Sequence, residues 1–374
     1  MSAIRPFLLD VPEAALTDLH QRLDHTRWPE RETVDDWSQG TPLGVLQELT
    51  AYWRSGYDWR ACEARLNALR QFITEIDGLD IHFLHIRSPR ADALPLIMTH
   101  GWPGSVIEFL GVIEALAHPK DGEQAFHLVI PSLPGFGFSG KPAATGWGVE
   151  KIARAWAKLM ARLGYDRWVA QGGDWGSAVT SSIGAQDLPG CAGIHLNMPI
   201  GRPLPDDLAN PSPAELKALT ALKYYQEWDS GYSTQQRTRP QTVGYGLADS
   251  PVGLAGWILE KIWAWTDNQG SPFDALSRDT ILDNLMLYWL PATAASSARL
   301  YWESFGSFAP QQIKVPVAVS AYPKEILPTP RKWAERNYKQ LVHWGELDKG
   351  GHFAAWEQPE AFVRELRTAF ALMA

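Results

Sequence analysis

The sequence has little cysteine and no long apolar run. Its two cysteines, Cys62 and Cys191, are far apart and lack the spacing of paired metal ligands, so we expect neither a disulfide framework nor a structural zinc site. No run of about 18 apolar residues is present, and Asp10 and Glu13 interrupt the N-terminal segment where a signal peptide needs a continuous apolar stretch. We therefore expect a cytoplasmic protein without a membrane anchor.

The sequence also lacks a strong excess of charge of one sign. Its 34 Lys and Arg residues and 42 Asp and Glu residues give a net charge of −8, without a long run of either sign. This composition argues against nucleic acid or an acidic membrane surface as a partner. The length of 374 residues fits one large α/β core with inserted or wrapping segments, and we expect no metal and no cofactor.

The N-terminal region has the pattern of helices. Leu16, Leu19 and Leu23 fall at helical spacing, and Pro29 closes that segment. We expect residues 1–60 to form a helical arm outside the sheet.

The rest of the chain has the pattern of a sheet interrupted once. Two alternating segments flank Asp77-Gly78 and predict a β-hairpin. Short apolar runs between helical stretches then predict buried parallel strands. Residues 205–312 instead have Trp- and Tyr-rich helical patterns, which indicate an inserted helical lid. We predict an α/β core over residues 61–204 and 313–374, with an eight-stranded, mostly parallel sheet.

A five-residue motif, Gly172-Gly173-Asp174-Trp175-Gly176, follows the predicted strand RWVAQ. It has the frame of the sharp strand-to-helix turn that carries the nucleophile in the α/β-hydrolase fold. Asp174 replaces the usual serine, and a carboxylate is charged at neutral pH, so it can attack a strained or activated carbon. The resulting ester must be hydrolysed by an activated water, which requires a histidine.

His352 is the predicted base. It follows the last predicted strand, after two glycines, where this fold places its histidine. The carboxylate that orients the imidazole should follow an earlier strand, which makes Glu325 the leading candidate, with Glu346 and Asp348 as competitors.

The motif His100-Gly101-Trp102-Pro103-Gly104 follows another predicted strand. At this place the fold supplies a backbone donor to an oxyanion hole. We expect the N–H groups of Trp102 and Trp175 to be the two donors.

With these motifs in place, the sequence resembles the microsomal-type and juvenile-hormone-type epoxide hydrolases nearly end to end. The arm and the segments GGDWGS, DSPVGLAGWILEK, MLYW and GGHFAAWEQPE carry the resemblance, and Arg70, where the family often has Pro, departs from it. The resemblance implies that Tyr232 and Tyr301 donate hydrogen bonds to the epoxide oxygen, and it matches Glu325 to the family's acid.

The implied reaction takes an apolar epoxide and water, as co-substrate, to a vicinal diol through a covalent ester on Asp174. A haloalkane or haloacid dehalogenase stays open as an alternative, because it uses the same nucleophile and often a tryptophan at the position of Trp175. The two tyrosines favour the epoxide, since a halide needs no proton. An inactive hydrolase-fold binding protein and a homo-oligomer also stay open.

Overall fold

A nine-stranded sheet forms the centre of the molecule, and the structure, a computed structural model, describes residues 3–373. The strands are β1 (Arg5–Pro6), β2 (Gln71–Ile76), β3 (Leu79–Ile86), β4 (Leu94–Thr99), β5 (Phe126–Pro131), β6 (Trp168–Gly172), β7 (Cys191–Leu196), β8 (Val317–Ala321) and β9 (Leu341–Glu346). Their order across the sheet is β1-β2-β3-β5-β4-β6-β7-β8-β9. The strands from β5 to β9 in this order pair in parallel, and β1, β2 and β3 pair antiparallel.

The predicted fold class is confirmed, and the predicted number of strands is one too low. All eight predicted strands are present, and the ninth is β1, which pairs Arg5 with Ile73 and Pro6 with Phe72. Two residues carry no alternating pattern, so the sequence could not identify this strand. It also corrects the expectation that the whole arm lies outside the sheet. The strand covers part of the edge of β2, whose backbone groups would otherwise be unpaired.

Helices surround this sheet and form most of the lid. They are α1 (Glu13–Asp24), α2 (Leu43–Ser55), α3 (Trp59–Ala68), α4 (Ile113–Ala117), α5 (Val149–Arg162), α6 (Asp174–Gln186), α7 (Pro205–Ala209), α8 (Pro213–Tyr224), α9 (Gly231–Thr238), α10 (Pro240–Asp249), α11 (Pro251–Trp265), α12 (Pro272–Ala275), α13 (Arg278–Trp289), α14 (Ala294–Ser304), α15 (Arg331–Glu335), α16 (Ala354–Glu357) and α17 (Pro359–Ala371). Helices α7 to α14 lie between β7 and β8 in the chain and supply the lid. Within the described range, no helix is both long and apolar enough to span a bilayer.

The arm holds the lid from outside through a buried carboxylate. Asp283 of α13 forms an ion pair with Arg65 of α3 and accepts a 2.8 Å hydrogen bond from the hydroxyl of Tyr57. The indole rings of Trp37 and Trp263 add a stacked contact at 4.8 Å between the arm and α11. Because Asp283 is buried, its partners Arg65 and Tyr57 compensate for the loss of water around the charge.

We expect Arg65→Met to destabilise the fold, because it leaves the buried carboxylate of Asp283 without its cation. The loss in free energy of unfolding should be about 1–3 kcal/mol, measured by urea denaturation at pH 7. Arg5→Met is the matched control. The side chains of Arg65 and Arg5 are 57% and 59% exposed, but those of their partners, Asp283 and Asp80, are 2% and 45% exposed. The control should change stability by less than about 0.5 kcal/mol, and equal losses in both variants would contradict this account.

Candidate active site

The turn between β6 and α6 presents Asp174 at the carboxyl end of the sheet. Asp174 has a φ of 50°, in the left-handed region that non-glycine residues adopt only when their surroundings enforce it. Close packing on either side provides that constraint. A Cβ atom at Gly172 would overlap the carbonyl of Gly176, and one at Gly176 would overlap the carbonyl of Thr99. The two glycines of the motif are therefore needed for the backbone to make this turn.

The loop after β4 supplies a backbone donor to the nucleophile. The N–H of Trp102 donates a 2.8 Å hydrogen bond to Oδ1 of Asp174. The amide of Trp175, the other predicted donor, lies at the start of α6, and within residues 3–373 it donates no hydrogen bond to the Asp174 side chain. A Cβ atom at Gly101 would overlap the Asp174 carboxyl, so glycine at this position allows the loop to approach.

His100 fixes the shape of this loop. Burial lowers the pKa of its imidazole to about 4, so the ring is neutral at pH 7. Its Nδ1 donates to the carbonyl of Gly101 at 2.9 Å, and its Nε2 accepts from the N–H of Leu133 at 3.2 Å. Both ring nitrogens are thus used in holding the loop.

His352 lies between two carboxylates. Its Nε2 is 3.3 Å from Oδ2 of Asp174, and its Nδ1 donates to Oε1 of Glu325 at 2.8 Å. The structure thus brings Glu325 to the imidazole and leaves the competing candidates, Glu346 and Asp348, exposed. Glu325 is also fixed by its neighbour, since the N–H of Ile326 donates to the same oxygen at 2.7 Å.

The two carboxylates set the protonation of His352. Burial by itself lowers the pKa of the imidazole, but the charges of Glu325 and Asp174 outweigh burial and hold the pKa well above its ordinary value. The imidazole is therefore charged at neutral pH.

Two buried tyrosines of the lid face this group. Tyr232 of α9 stacks on the indole of Trp102 at 4.8 Å, and Tyr301 of α14 meets the ring of Trp175 edge-on at 4.8 Å. Their ring centroids are 5.7 Å apart. Burial raises the pKa of both phenols well above 10, and the charge of Asp174 adds to the effect, so both are protonated at neutral pH. The hydroxyl of Tyr301 has no hydrogen-bond partner among the described residues.

A buried charged network behind Tyr232 was not found from the sequence. Nζ of Lys261 is 2.6 Å from Oδ1 of Asp229 and lies over the ring of Tyr232, at 4.9 Å from its centroid. The other oxygen of Asp229 accepts a 2.7 Å hydrogen bond from the indole of Trp265, whose ring packs against His352 at 5.1 Å. The sequence does contain one sign of this network. Lys261 is four residues before Trp265, so it places a charge on an otherwise apolar face of the helix.

The site brings a carboxylate, an imidazole and two proton donors together. Among the residues that the structure describes, no group of three or more His, Cys, Asp and Glu side chains is placed to hold a metal ion. Four kinds of group converge in a closed site: the carboxylate of Asp174, a histidine with its own carboxylate, a backbone donor and two protonated phenols. This set can form an ester with an electrophilic carbon and then hydrolyse it.

Comparison with known proteins places these features in a family. Residues 4–109 match a family model described as "Epoxide hydrolase N terminus", and residues 95–247 match one described as "alpha/beta hydrolase fold". A protein of Stigmatella aurantiaca named "Putative epoxide hydrolase" is 56% identical, over 98% of this chain and 84% of its own length. "Epoxide hydrolase 1" of Sus scrofa is 36% identical, over 99% of this chain and 89% of its own. The solved structure of the Aspergillus niger epoxide hydrolase superposes with a TM-score of 0.90 at 33% identity, covering 100% of this chain and 97% of that one.

We expect Asp174→Asn to lower the pKa of His352, because it removes one of the two charges that raise it. The pKa is measured by NMR titration of protein labelled at histidine, after the intact mass has verified the amide. Asp187→Asn is the control, since Asp187 is an exposed residue at the other end of the same helix. The pKa should stay unchanged in the control, and an unchanged value in the Asp174 variant would show that this carboxylate does not set the charge of the imidazole.

Proposed function

The chain belongs to the epoxide hydrolases, and from that membership we propose that it converts an apolar epoxide and water to a vicinal diol through an ester on Asp174. The enzyme class predicted from the sequence is thereby confirmed. One observation supports the assignment of residues: the carboxyl group of Asp174, held by Trp102, lies in the same closed site as His352 and two protonated phenols. Cytoplasmic location and a homo-oligomer stay predictions.

In the first step, the carboxylate of Asp174 attacks one carbon of the epoxide. A new bond forms between the carboxylate oxygen and that carbon, and the bond between the carbon and the epoxide oxygen breaks. The oxygen develops negative charge as the ring opens and takes a proton from Tyr232 or Tyr301. A protonated phenol suits this role, because it holds its proton until the far more basic alkoxide forms.

Formation of the ester prepares His352 for the second step. The ester removes the negative charge of Asp174, one of the two charges that raise the pKa of the imidazole. The pKa therefore falls, and His352 can pass its proton to the tyrosinate that ring opening left, which restores the phenol and makes the imidazole a neutral base. Glu325 still accepts a hydrogen bond from the N–H at Nδ1, so the lone pair of the neutral ring is on Nε2, which faces Asp174.

In the second step, His352 takes a proton from water, and the water oxygen attacks the carbonyl carbon of the Asp174 ester. The N–H of Trp102 stabilises the oxyanion, and we keep the amide of Trp175 as the second donor. The ester bond then breaks, and the diol leaves with the proton from His352. The second hydrogen of the water, left on the Asp174 carboxyl, passes to His352, so that Asp174 and His352 return to their starting states.

The walls of the site suggest an apolar substrate. Aromatic rings surround the two phenols, with Trp265 at 5.2 Å from Tyr232 and Phe308 at 4.6 Å from Trp175. Such walls favour apolar ligands, and a few polar groups then fix the ligand's orientation. The epoxide oxygen would be oriented by the two hydroxyls.

We expect His352→Gln to accumulate the ester, because ring opening needs Asp174 and the tyrosines but hydrolysis needs the base. Intact-mass spectrometry after mixing with styrene oxide should show an added mass equal to one substrate, and peptide mapping should place it on Asp174. Asp174→Asn is the control and should stay unlabelled. Normal turnover by the His352 variant would contradict the two-step scheme.

We expect the double variant Tyr232→Phe, Tyr301→Phe to form the ester more slowly by about 10²–10⁴-fold, the usual contribution of a general acid. Each single variant should lose less, because one donor remains. Rapid-quench measurement of ester formation tests this, with Tyr165→Phe as a control, since the hydroxyl of Tyr165 bonds His85 at 2.8 Å, outside the site. Chloride release from a haloalkane, with epoxides left unchanged, would instead favour the dehalogenase.

A further inference from the structure

A small cavity lies next to Asp174 and His352. It has a volume of about 20 Å³, and its polar lining includes Glu108, Gln171 and Asn197 as well as the two catalytic side chains. A cavity needs roughly 10–15 Å³ to hold one water molecule, together with two to four polar partners. This cavity meets both conditions and is too small for an organic substrate.

The cavity is separate from the side of Asp174 on which the epoxide would bind. Tyr232 and Tyr301, which would bind the epoxide oxygen, are not among the residues that line it. Asp174 and His352 do line it, so both groups needed for hydrolysis of the ester face this space. A water molecule there could approach the ester without displacing the diol portion.

Glu108 is an unusual member of this lining. It lies in a short 3-10 segment, Val106–Val112, whose other side chains are apolar. No Lys or Arg pairs with its carboxyl within residues 3–373. Burial raises the pKa of Glu108 to about 8. The nearby charge of His352 opposes this increase, and the charge of Asp174 adds to it. A carboxyl without a Lys or Arg partner in this position is costly to bury, and its place in the cavity wall beside His352 and Asp174 suggests a role in the reaction.

The loop around Glu108 holds its carboxyl in place. A Cβ atom at Gly104 would overlap this carboxyl, so the backbone of the loop packs directly against it. The loop is in turn fixed to the lid, because Asn284 donates to the carbonyl of Pro103 and Tyr288 donates to that of Gly104, both at 2.7 Å. The carboxyl therefore has a fixed position at the wall of the cavity.

We propose that Glu108 is a positioning residue that holds the water which hydrolyses the ester, between its carboxyl group and Nε2 of His352. This inference rests on the proposed function. One hydrogen of the water is transferred to His352 as the oxygen attacks the carbonyl carbon of Asp174, and the other stays hydrogen-bonded to Glu108. Glu108 itself neither gains nor loses a proton over the cycle. Its carboxyl also lies near the imidazolium that forms during attack.

Two variants test this role. Glu108→Met keeps the length of the side chain but cannot hold water, and Glu108→Gln keeps both the length and a hydrogen-bonding oxygen. Rapid-quench mass spectrometry with styrene oxide separates the rate of ester formation from the rate of ester hydrolysis. Glu114→Gln, at an exposed residue of the following helix, is the control.

We expect Glu108→Met to slow hydrolysis on the order of 10²-fold, the usual effect of misplacing a reactant by about 1 Å. Ester formation should stay near the wild-type rate, so the ester accumulates, and Glu108→Gln should recover most of the rate of hydrolysis. Wild-type hydrolysis in Glu108→Met, or equal slowing of both steps in both variants, would overturn the proposal. Absence of an ester on Asp174 in the wild-type protein and in His352→Gln would instead overturn the proposed function.

Discussion

The contact of the buried His352 imidazole with two carboxylates is the interaction on which the site depends. Glu325 and Asp174 reach opposite nitrogens of one ring, at 2.8 and 3.3 Å, in surroundings that exclude water. Burial makes the imidazolium costly, and the two charges compensate for that cost. In the proposed mechanism one of these charges disappears when the ester forms, so the first step would change the charge state of the imidazole that acts as the base in the second.

Three parts of the chain must meet for this contact to work. The core supplies Asp174 from the turn after β6 and His352 from the loop after β9. The lid holds the backbone of His352, because the carbonyl of Trp265 accepts its N–H at 2.9 Å. The arm fixes the lid through the hydrogen bond of Tyr57 to Asp283, and α3, which begins at the end of the arm, adds the pair of Arg65 with the same carboxylate. Each of these contacts involves a buried group, His352 or Asp283, where breaking a hydrogen bond is costly.

The sequence predicted those features that have a local pattern. Apolar runs identified the eight longer strands, and the glycines of the elbow identified Asp174, because both features follow from constraints on neighbouring residues. Strand β1 was missed because a strand of two residues is too short to show an alternating apolar pattern. Tyr232 and Tyr301 were identified only through the family resemblance, since nothing local distinguishes them in a lid rich in aromatic residues.

Tertiary contacts decided what the local pattern could not. Glu325 was the leading candidate and Glu346 and Asp348 stayed as competitors, and the path of the chain after β8 brings Glu325 to the imidazole. Lys261 and Glu108 were not predicted, because each is a single charged residue within an apolar segment. Whether such a residue points to solvent or into the interior depends on how the segment packs.

Trp102 joins the nucleophile to the acid. Its amide binds Asp174, and its indole face carries the ring of Tyr232. A lid that swung away from the core would break the stacking contact and remove the proton donor from the carboxylate in the same movement. The open molecule would then hold a charged nucleophile without an acid, and such a carboxylate is a poor reagent toward an unprotonated epoxide. In the proposed mechanism, closure over a substrate would therefore also be the movement that brings the acid to Asp174.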